Sequence, residues 1–124
     1  YSIGDTAQGG IVFYVSPDGK NGLVAATVDQ SISSNWYNAS DVISNPLNHT
    51  IEGQKFRDWR LPTKYELNEM YVNLHQLGLG GFANVYWSSS EDATILAWEQ
   101  YFGNGTQGNY SKMNGNYVRA IRAF

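Results

Sequence analysis

The sequence contains no cysteine. That removes a disulfide framework, thiolate zinc sites and a cysteine nucleophile together, and it leaves the redox compartment unread. Charge is scarce as well: Asp, Glu, Lys and Arg make up 15% of 124 residues, beside two histidines and three prolines. No run approaches the roughly 20 apolar residues needed to cross a bilayer, so membrane insertion is not expected. The chain opens at Tyr1 with neither an initiator Met nor a basic-then-apolar leader, which reads as an excised or processed domain. What is plentiful is apolar and aromatic matter, 42% hydrophobic and 15% aromatic, with nine Tyr and four Trp. Such a chain makes one folded domain over residues 1–124, since domains commonly run about 100–150 residues.

The net charge of −3 is unevenly spread. All eleven acids fall within residues 1–100, whereas residues 101–124 carry only Lys112, Arg119 and Arg122. This mildly basic end falls short of the dense stripe that nucleic acid requires, so no nucleic-acid partner is expected. Sulfated glycans and other anions stay open as partners.

Ile11–Val15 and Gly22–Ala26 are β-branched or small apolar runs around a Pro17-Asp18-Gly19-Lys20 turn, and they read as a hairpin. From Thr27 to Asp58 the pattern weakens, with a short helix near Asn38–Ser44. The main helix is expected over about 62–77. Thr63 and Glu66 have capping-box spacing, Leu67, Met70, Tyr71, Leu74 and Leu77 form its apolar stripe, and Gly78 stops it. Strands follow at Val85–Ser89, Ala97–Phe102 and Tyr117–Ala123, with a shorter one near Thr106–Lys112. Asn104-Gly105 and Asn114-Gly115 read as hairpin turns between them. Hairpin, one helix and late antiparallel strands make the fold class α+β, with a strand- and loop-rich C-terminal half.

Most chemical motifs fail on inspection. Gly103–Gly108 spells GxGxxG, but no helix opens after it and no acid occurs beyond Glu99, so it is not a dinucleotide site. His49 and His75 lack metal-ligand spacing, and Ser88-Ser89-Ser90 lacks a nucleophile-elbow frame. No metal site and no cofactor are expected. Glu66 is explained by capping, while Glu91, Asp92 and Glu99 surround a strand connection and could meet as a carboxylate pair for glycoside hydrolysis. Asp58, Arg60, Arg119 and Arg122 read as structural ion-pair partners, with anion binding by Arg122 the alternative. Asn-x-Ser/Thr triplets start at Asn38, Asn48, Asn104 and Asn109 and matter only along a eukaryotic secretory route.

Several ordered blocks carry a resemblance. They are Gly9–Val15, Gly22–Ala26, Asp58–Leu67, Tyr86–Glu91, Ala97-Trp98 and Tyr117–Phe124. Together they resemble the Lcl C-terminal-like family, bacterial domains with a C-type-lectin-like fold named from a collagen-like adhesin. The resemblance implies terminal strands paired at the base and a ligand surface on the late strands and loops. It also implies adhesion to glycans, sulfated glycosaminoglycans included, and a place outside the cell or on the surface of a bacterium (or on its phage). The EPN or QPD motif of calcium-dependent lectins is absent, and so are the cysteines of the related formylglycine-generating enzymes.

Residues 87–124 also resemble variable proteins of diversity-generating retroelements, in which adenines of template Asn codons are randomised. Changing the first two bases of AAC cannot yield Glu, Gln, Lys, Met or Trp. Asp92–Leu96, Tyr101, Gly103, Asn104, Thr106, Gly108–Ser111 and Asn114–Asn116 are permitted outcomes. Trp87, Trp98, Gln100, Gln107 and Lys112 fall at framework positions, while Glu99 and Met113 depart from the pattern.

The leading expectation is a non-enzymatic binding module for an unidentified protein or glycan, its oligomeric state left open. Its surface comprises Asp92, Ala93, Thr94, Ile95, Leu96, Glu99, Tyr101, Gly103, Asn104, Thr106, Asn109, Tyr110, Ser111, Met113 and Asn114. Tyr101 and Tyr110, beside Ile95 and Leu96, would supply contact area, and the Asn, Ser and Thr adaptable hydrogen bonds. A sulfated-glycan adhesin using Lys112 and neighbouring cations is the alternative, and a carbohydrate-active enzyme the third reading.

Overall fold

The structure is a computed structural model that describes residues 1–124. In chain order it contains β1 (Thr6–Ala7), β2 (Gly10–Val15), β3 (Gly22–Ala25), β4 (Ser31–Ser34) and α1 (Ala39–Ser44). Two single 3-10 turns, Pro46–Asn48 and Gly53–Lys55, lead to α2 (Lys64–Asn73). Then come β5 (Val85–Ala93), β6 (Leu96–Tyr101), β7 (Gln107–Ser111), β8 (Asn116–Val118) and β9 (Ile121–Ala123). The molecule is α+β with one main helix and two sheets, ordered β1-β2-β3-β9 and β4-β8-β5-β6-β7. No helix is long and apolar enough to cross a membrane.

The N-terminal hairpin and the short helix at 39–44 form as their sequences suggest. In α2, Thr63 Oγ1 accepts from Glu66 N–H and Glu66 Oε1 from Thr63 N–H, so the capping box closes in both directions. Arg60 adds a fork onto both Glu66 oxygens at 2.7 Å. Burial alone would raise the Glu66 carboxyl; the Arg60 fork and the Thr63 N–H outweigh it and hold the group below its usual range. The helix is shorter than 62–77, because Thr63 is its extended N-cap and His75–Leu77 is a 3-10 turn. That tighter turn rotates the stripe, so Leu67, Met70 and Leu74 are buried but Leu77 is 65% exposed. Gly78, at φ 75°, ends it in the left-handed conformation.

The expected strand Tyr117–Ala123 is two strands in different sheets. β8 lies in the second sheet and β9 pairs with β3 in the first, with Arg119-Ala120 as the crossing. β8 also runs parallel to β5, Tyr86 beside Tyr117, so the sheets are not wholly antiparallel. Asn114-Gly115 makes no hairpin turn, since β7 and β8 are not neighbours. At Asn104-Gly105 only Gly105 has positive φ, within a longer connection closed by the Tyr101 N–H on the Thr106 carbonyl.

Two cores occupy opposite faces of the second sheet. Tyr86 and Phe102 join Leu67, Met70 and Leu74 of α2 with Phe13, Ala25 and Ile121 of the first sheet. Trp87, Ala97 and Val118 face Ala39 and Ile43 of α1 and Leu61. The adjacent pair Tyr86-Trp87 thus feeds both cores, as side chains alternate along a strand. Arg119 stands between the sheets at 1% exposure. Its guanidinium donates to Asp29 (2.8 Å) and to the carbonyls of Ala26 (2.9 Å), Gly80 (2.7 Å) and Gly81 (3.2 Å). Arg122 donates to Asp58 at 2.7 Å and to the Gln8 carbonyl, which holds the Asp58 carboxyl below its ordinary range. Both arginines are structural, and Arg122 has its donors committed inside the fold.

Replacing Arg119 with Met should therefore lower the unfolding free energy by about 3–5 kcal/mol, because it strands Asp29 and three carbonyls. Urea denaturation at neutral pH reads this directly. A loss below about 1 kcal/mol, within the range of exposed pairs, would show that the network is dispensable.

Candidate functional site

The second sheet presents β5, β6 and β7 as an antiparallel meander, and its register assigns each residue a face. Across β6 and β7, Ala97 lies beside Tyr110, Trp98 beside Asn109, Glu99 beside Gly108 and Gln100 beside Gln107. Trp87 of β5 lies beside Glu99.

One face turns toward α2. Gln100 Nε2 donates to Asn68 Oδ1 (2.9 Å) and to the Gly105 carbonyl (3.1 Å), and Gln107 Nε2 to the Lys64 carbonyl (2.7 Å). Lys64 Nζ sits 4.0 Å from the centre of the Trp98 ring. On the other face Trp87 is fully buried, its Nε1–H donating to the Ser34 carbonyl at 2.7 Å, and Tyr110 covers its edge with ring centroids 5.9 Å apart. Glu99 accepts from Asn116 Nδ2 at 2.6 Å, and partial burial pushes its carboxyl above the usual range. A Cβ at Gly108, across from Glu99, would meet nothing within 4 Å.

At the β5–β6 tip, Lys112 is 2% exposed. Its ammonium donates to Glu91 (2.7 Å) and the Thr94 carbonyl (2.8 Å), with the Trp36 ring centre 4.4 Å away. Backbone bonds from Lys112 N–H to Ile95 and from Trp36 N–H to Lys112 complete the junction. This corrects one expectation: Lys112 is a buried tie and offers no charge to a sulfated glycan. Arg119 and Arg122 are likewise internal, so the basic end of the sequence is spent inside the fold.

The expected surface residues all reach solvent. Asp92–Ile95, Tyr101, Gly103, Asn104, Thr106, Asn109, Tyr110, Met113 and Asn114 are exposed, and Leu96, Glu99 and Ser111 half-buried. Ile95 at 66% and Met113 at 80% are largely exposed, as are Ile32, Leu47 and Ile51 elsewhere on the molecule. The expected surface residues do not form a single patch, however. Asp92–Leu96, Tyr110, Ser111, Met113 and Asn114 gather at the β5–β6 tip, where Leu96 pairs with Ser111. Tyr101, Gly103, Asn104 and Thr106 occupy the opposite tip, about 17 Å away for five residues of strand. Tyr101 is thus not a neighbour of Ile95 and Leu96, because it sits at the far end of β6.

The three acids do not converge either. Glu91 turns to Lys112, Asp92 accepts from Asn109 and Glu99 accepts from Asn116. No group of three or more His, Cys, Asp or Glu side chains comes together as a metal site would need. Sequence reasoning missed Trp36 and Tyr37, which join the β5–β6 tip through Lys112. Their only signal was two adjacent aromatics in a Ser- and Asn-rich stretch.

A family model described as the Lcl C-terminal domain matches residues 15–122. The chain belongs to this family. No curated protein matches the chain. Within this Lcl C-terminal domain, Trp87, Gln100 and Lys112 of the framework set are buried, and Trp98 and Gln107 half-buried. Among the positions assigned to the randomised pattern, Asn116 alone is buried. Its bond to Glu99 ties two residues that the codon pattern placed apart.

The raised Glu99 carboxyl sets a pH dependence. The unfolded chain ionises this group first, so its contribution to stability falls as pH climbs from the ordinary Glu range toward the higher folded value. A Glu99→Gln variant keeps an acceptor for Asn116 and carries no charge. It should gain stability relative to the parent between pH 4 and pH 7, measured as urea midpoints; a parallel pH response in both proteins would refute this.

Proposed function

We propose that this Lcl C-terminal domain is a non-enzymatic ligand-binding module with a C-type-lectin-like fold, holding a changeable surface on the β5–β6 tip. The supporting observation is the match between coding and burial. The positions assigned to the randomised pattern, Asp92–Leu96, Tyr101, Gly103, Asn104, Thr106, Gly108–Ser111, Asn114 and Gly115, reach solvent, whereas Asn116 and the framework residues Trp87, Gln100 and Lys112 are buried. A surface built this way can change without disturbing the core, since surface substitutions away from special features usually cost within about 0.5 kcal/mol. Ile95, Met113, Tyr110 and Tyr37 give the tip apolar and aromatic contact area, and Asp92, Thr94, Asn109 and Asn114 give it adaptable polar groups. That mixture suits a protein ligand. We place the domain, as part of the same reading, on the outer surface of a bacterium or its phage.

The decisive test is genomic: a near-identical copy of the codons for residues 87–124 beside a reverse-transcriptase gene, differing only at adenines. Its absence would leave an ordinary family member. A display library supplies the physical test. Randomising Asp92–Leu96, Tyr110, Ser111, Met113 and Asn114 should leave most clones protease-resistant and yield binders to an unrelated folded protein. Randomising Trp87, Gln100, Lys112 and Asn116 should destroy resistance. Equal damage from both libraries would sink the proposal.

Glycan capture by charge is disfavoured by the inward turn of Lys112, Arg119 and Arg122. The domain should not be retained on immobilised heparin at about 0.15 M salt, where exposed charges are already screened beyond about 8 Å. Retention would restore the sulfated-glycan reading.

A further inference from the structure

Away from the strand tips, the segment between α1 and α2 encloses a cavity of about 240 Å³. Its apolar walls are Ile43, Pro46, Phe56 and Trp59. His49 stacks on Trp59 with ring centroids 5.1 Å apart and planes 26° from parallel. These walls are held from several directions. His49 Nε2 bonds the Ile43 carbonyl at 2.7 Å, Gln54 Nε2 donates to the His49 carbonyl at 3.1 Å and Trp59 Nε1 to the Gly53 carbonyl at 2.9 Å. The carbonyl acceptor places the His49 proton on Nε2. His49 Nδ1 is the one buried side-chain nitrogen or oxygen without a partner, and it faces Gly53. Filling the adjoining space with an apolar body costs that nitrogen nothing, because it is already out of water.

Arg57 also lines the cavity, and it has neither an ion pair nor a side-chain hydrogen bond. Five of the eight cations are paired with acids, namely Lys55, Arg60, Lys112, Arg119 and Arg122. Lys64 sits over Trp98, and the eighth, Lys20, lies unpaired in the β2–β3 turn, away from the cavity. The acids nearest in sequence, Glu52 and Asp58, are taken by Lys55 and Arg122, and no carboxylate lines the cavity. The site therefore offers one unsatisfied positive charge at the edge of an aromatic and aliphatic hollow.

We propose that this cavity is a binding site for a small aromatic monocarboxylate, with the ring against Trp59 and the carboxylate on the Arg57 fork. A guanidinium presents paired donors that match a carboxylate, and a single cation balances a single negative charge. At about 30 Å³ for a water-sized unit of liquid, the space accommodates on the order of eight to ten non-hydrogen atoms, the size of benzoate. Sites for small molecules commonly combine apolar walls with a few placed polar groups in this way.

Benzoate is the probe, followed by the indole N–H signals of the four tryptophans in an NMR titration. The Trp59 signal should shift and saturate, while those of Trp87 and Trp98 stay in place. Benzamide, of the same shape without the charge, should bind about tenfold more weakly, and acetate, the charge without the ring, weaker still. Arg57→Gln should lose about the same factor for benzoate and leave benzamide binding and the melting temperature unchanged, since Arg57 is exposed and bonds nothing in the fold. The proposal is overturned if Trp59 shows no saturable shift, if benzamide equals benzoate, or if the variant binds benzoate as the parent does.

Discussion

One buried guanidinium holds the architecture together. The stretch from Asn116 to Ala123 serves two sheets in succession, and the chain must leave one and enter the other at Arg119-Ala120. Such a crossing exposes backbone groups to a dry interior, where each unpaired carbonyl or N–H costs about 1–3 kcal/mol. Arg119 meets this by donating to carbonyls of Ala26, Gly80 and Gly81, while Asp29 balances its charge. Gln30 completes the junction by accepting from the Ala120 N–H at 2.6 Å. The bonds reach the end of β3, the approach to β4 and the loop after α2, so one side chain ties the crossing to three separate segments.

The same device recurs, smaller, at the β5–β6 tip. Lys112 spends its charge on Glu91, a carbonyl and the face of Trp36. Because the C-terminal cations all turn inward, the surface beyond them is left to neutral, acidic and apolar side chains. A rigid underside and an unconstrained outer layer are thereby separated residue by residue along one strand pair. Gln100 is locked on Asn68 while Tyr101, one position on, is free.

Much of the scaffold was legible because its signals are local. The β2–β3 hairpin follows from two apolar runs around a turn, and the start of α2 from Thr63 and Glu66 three positions apart. The roles of Asp58, Arg119 and Arg122 as ion-pair partners were also legible, since charged residues alternating with apolar ones need internal partners. Other features depend on contacts between distant segments. β4 has only Ser and Ile to show, and becomes a strand because β8 lies beside it. Leu77 continued the helical period but is exposed, because the chain tightens after Leu74. Sequence proximity groups Tyr101 and Tyr110 in one patch, but the length of β6 separates them. The hollow around Trp59 and His49 had no sequence signal, since its walls come from α1, two short turns and the lead into α2.

Composition and local pattern alone determined the α+β class, the principal helix with its N-terminal cap, the first hairpin and the absence of thiol chemistry. Each rests on properties a residue carries with its near neighbours: torsional preference, periodicity, the reach of a short side chain to its own backbone. Tertiary structure decided which charges face inward, where the last strand divides, which loop residues share a tip and which aromatic rings enclose a cavity. Those outcomes depend on burial, and burial exists only once segments far apart in the chain have excluded water between them.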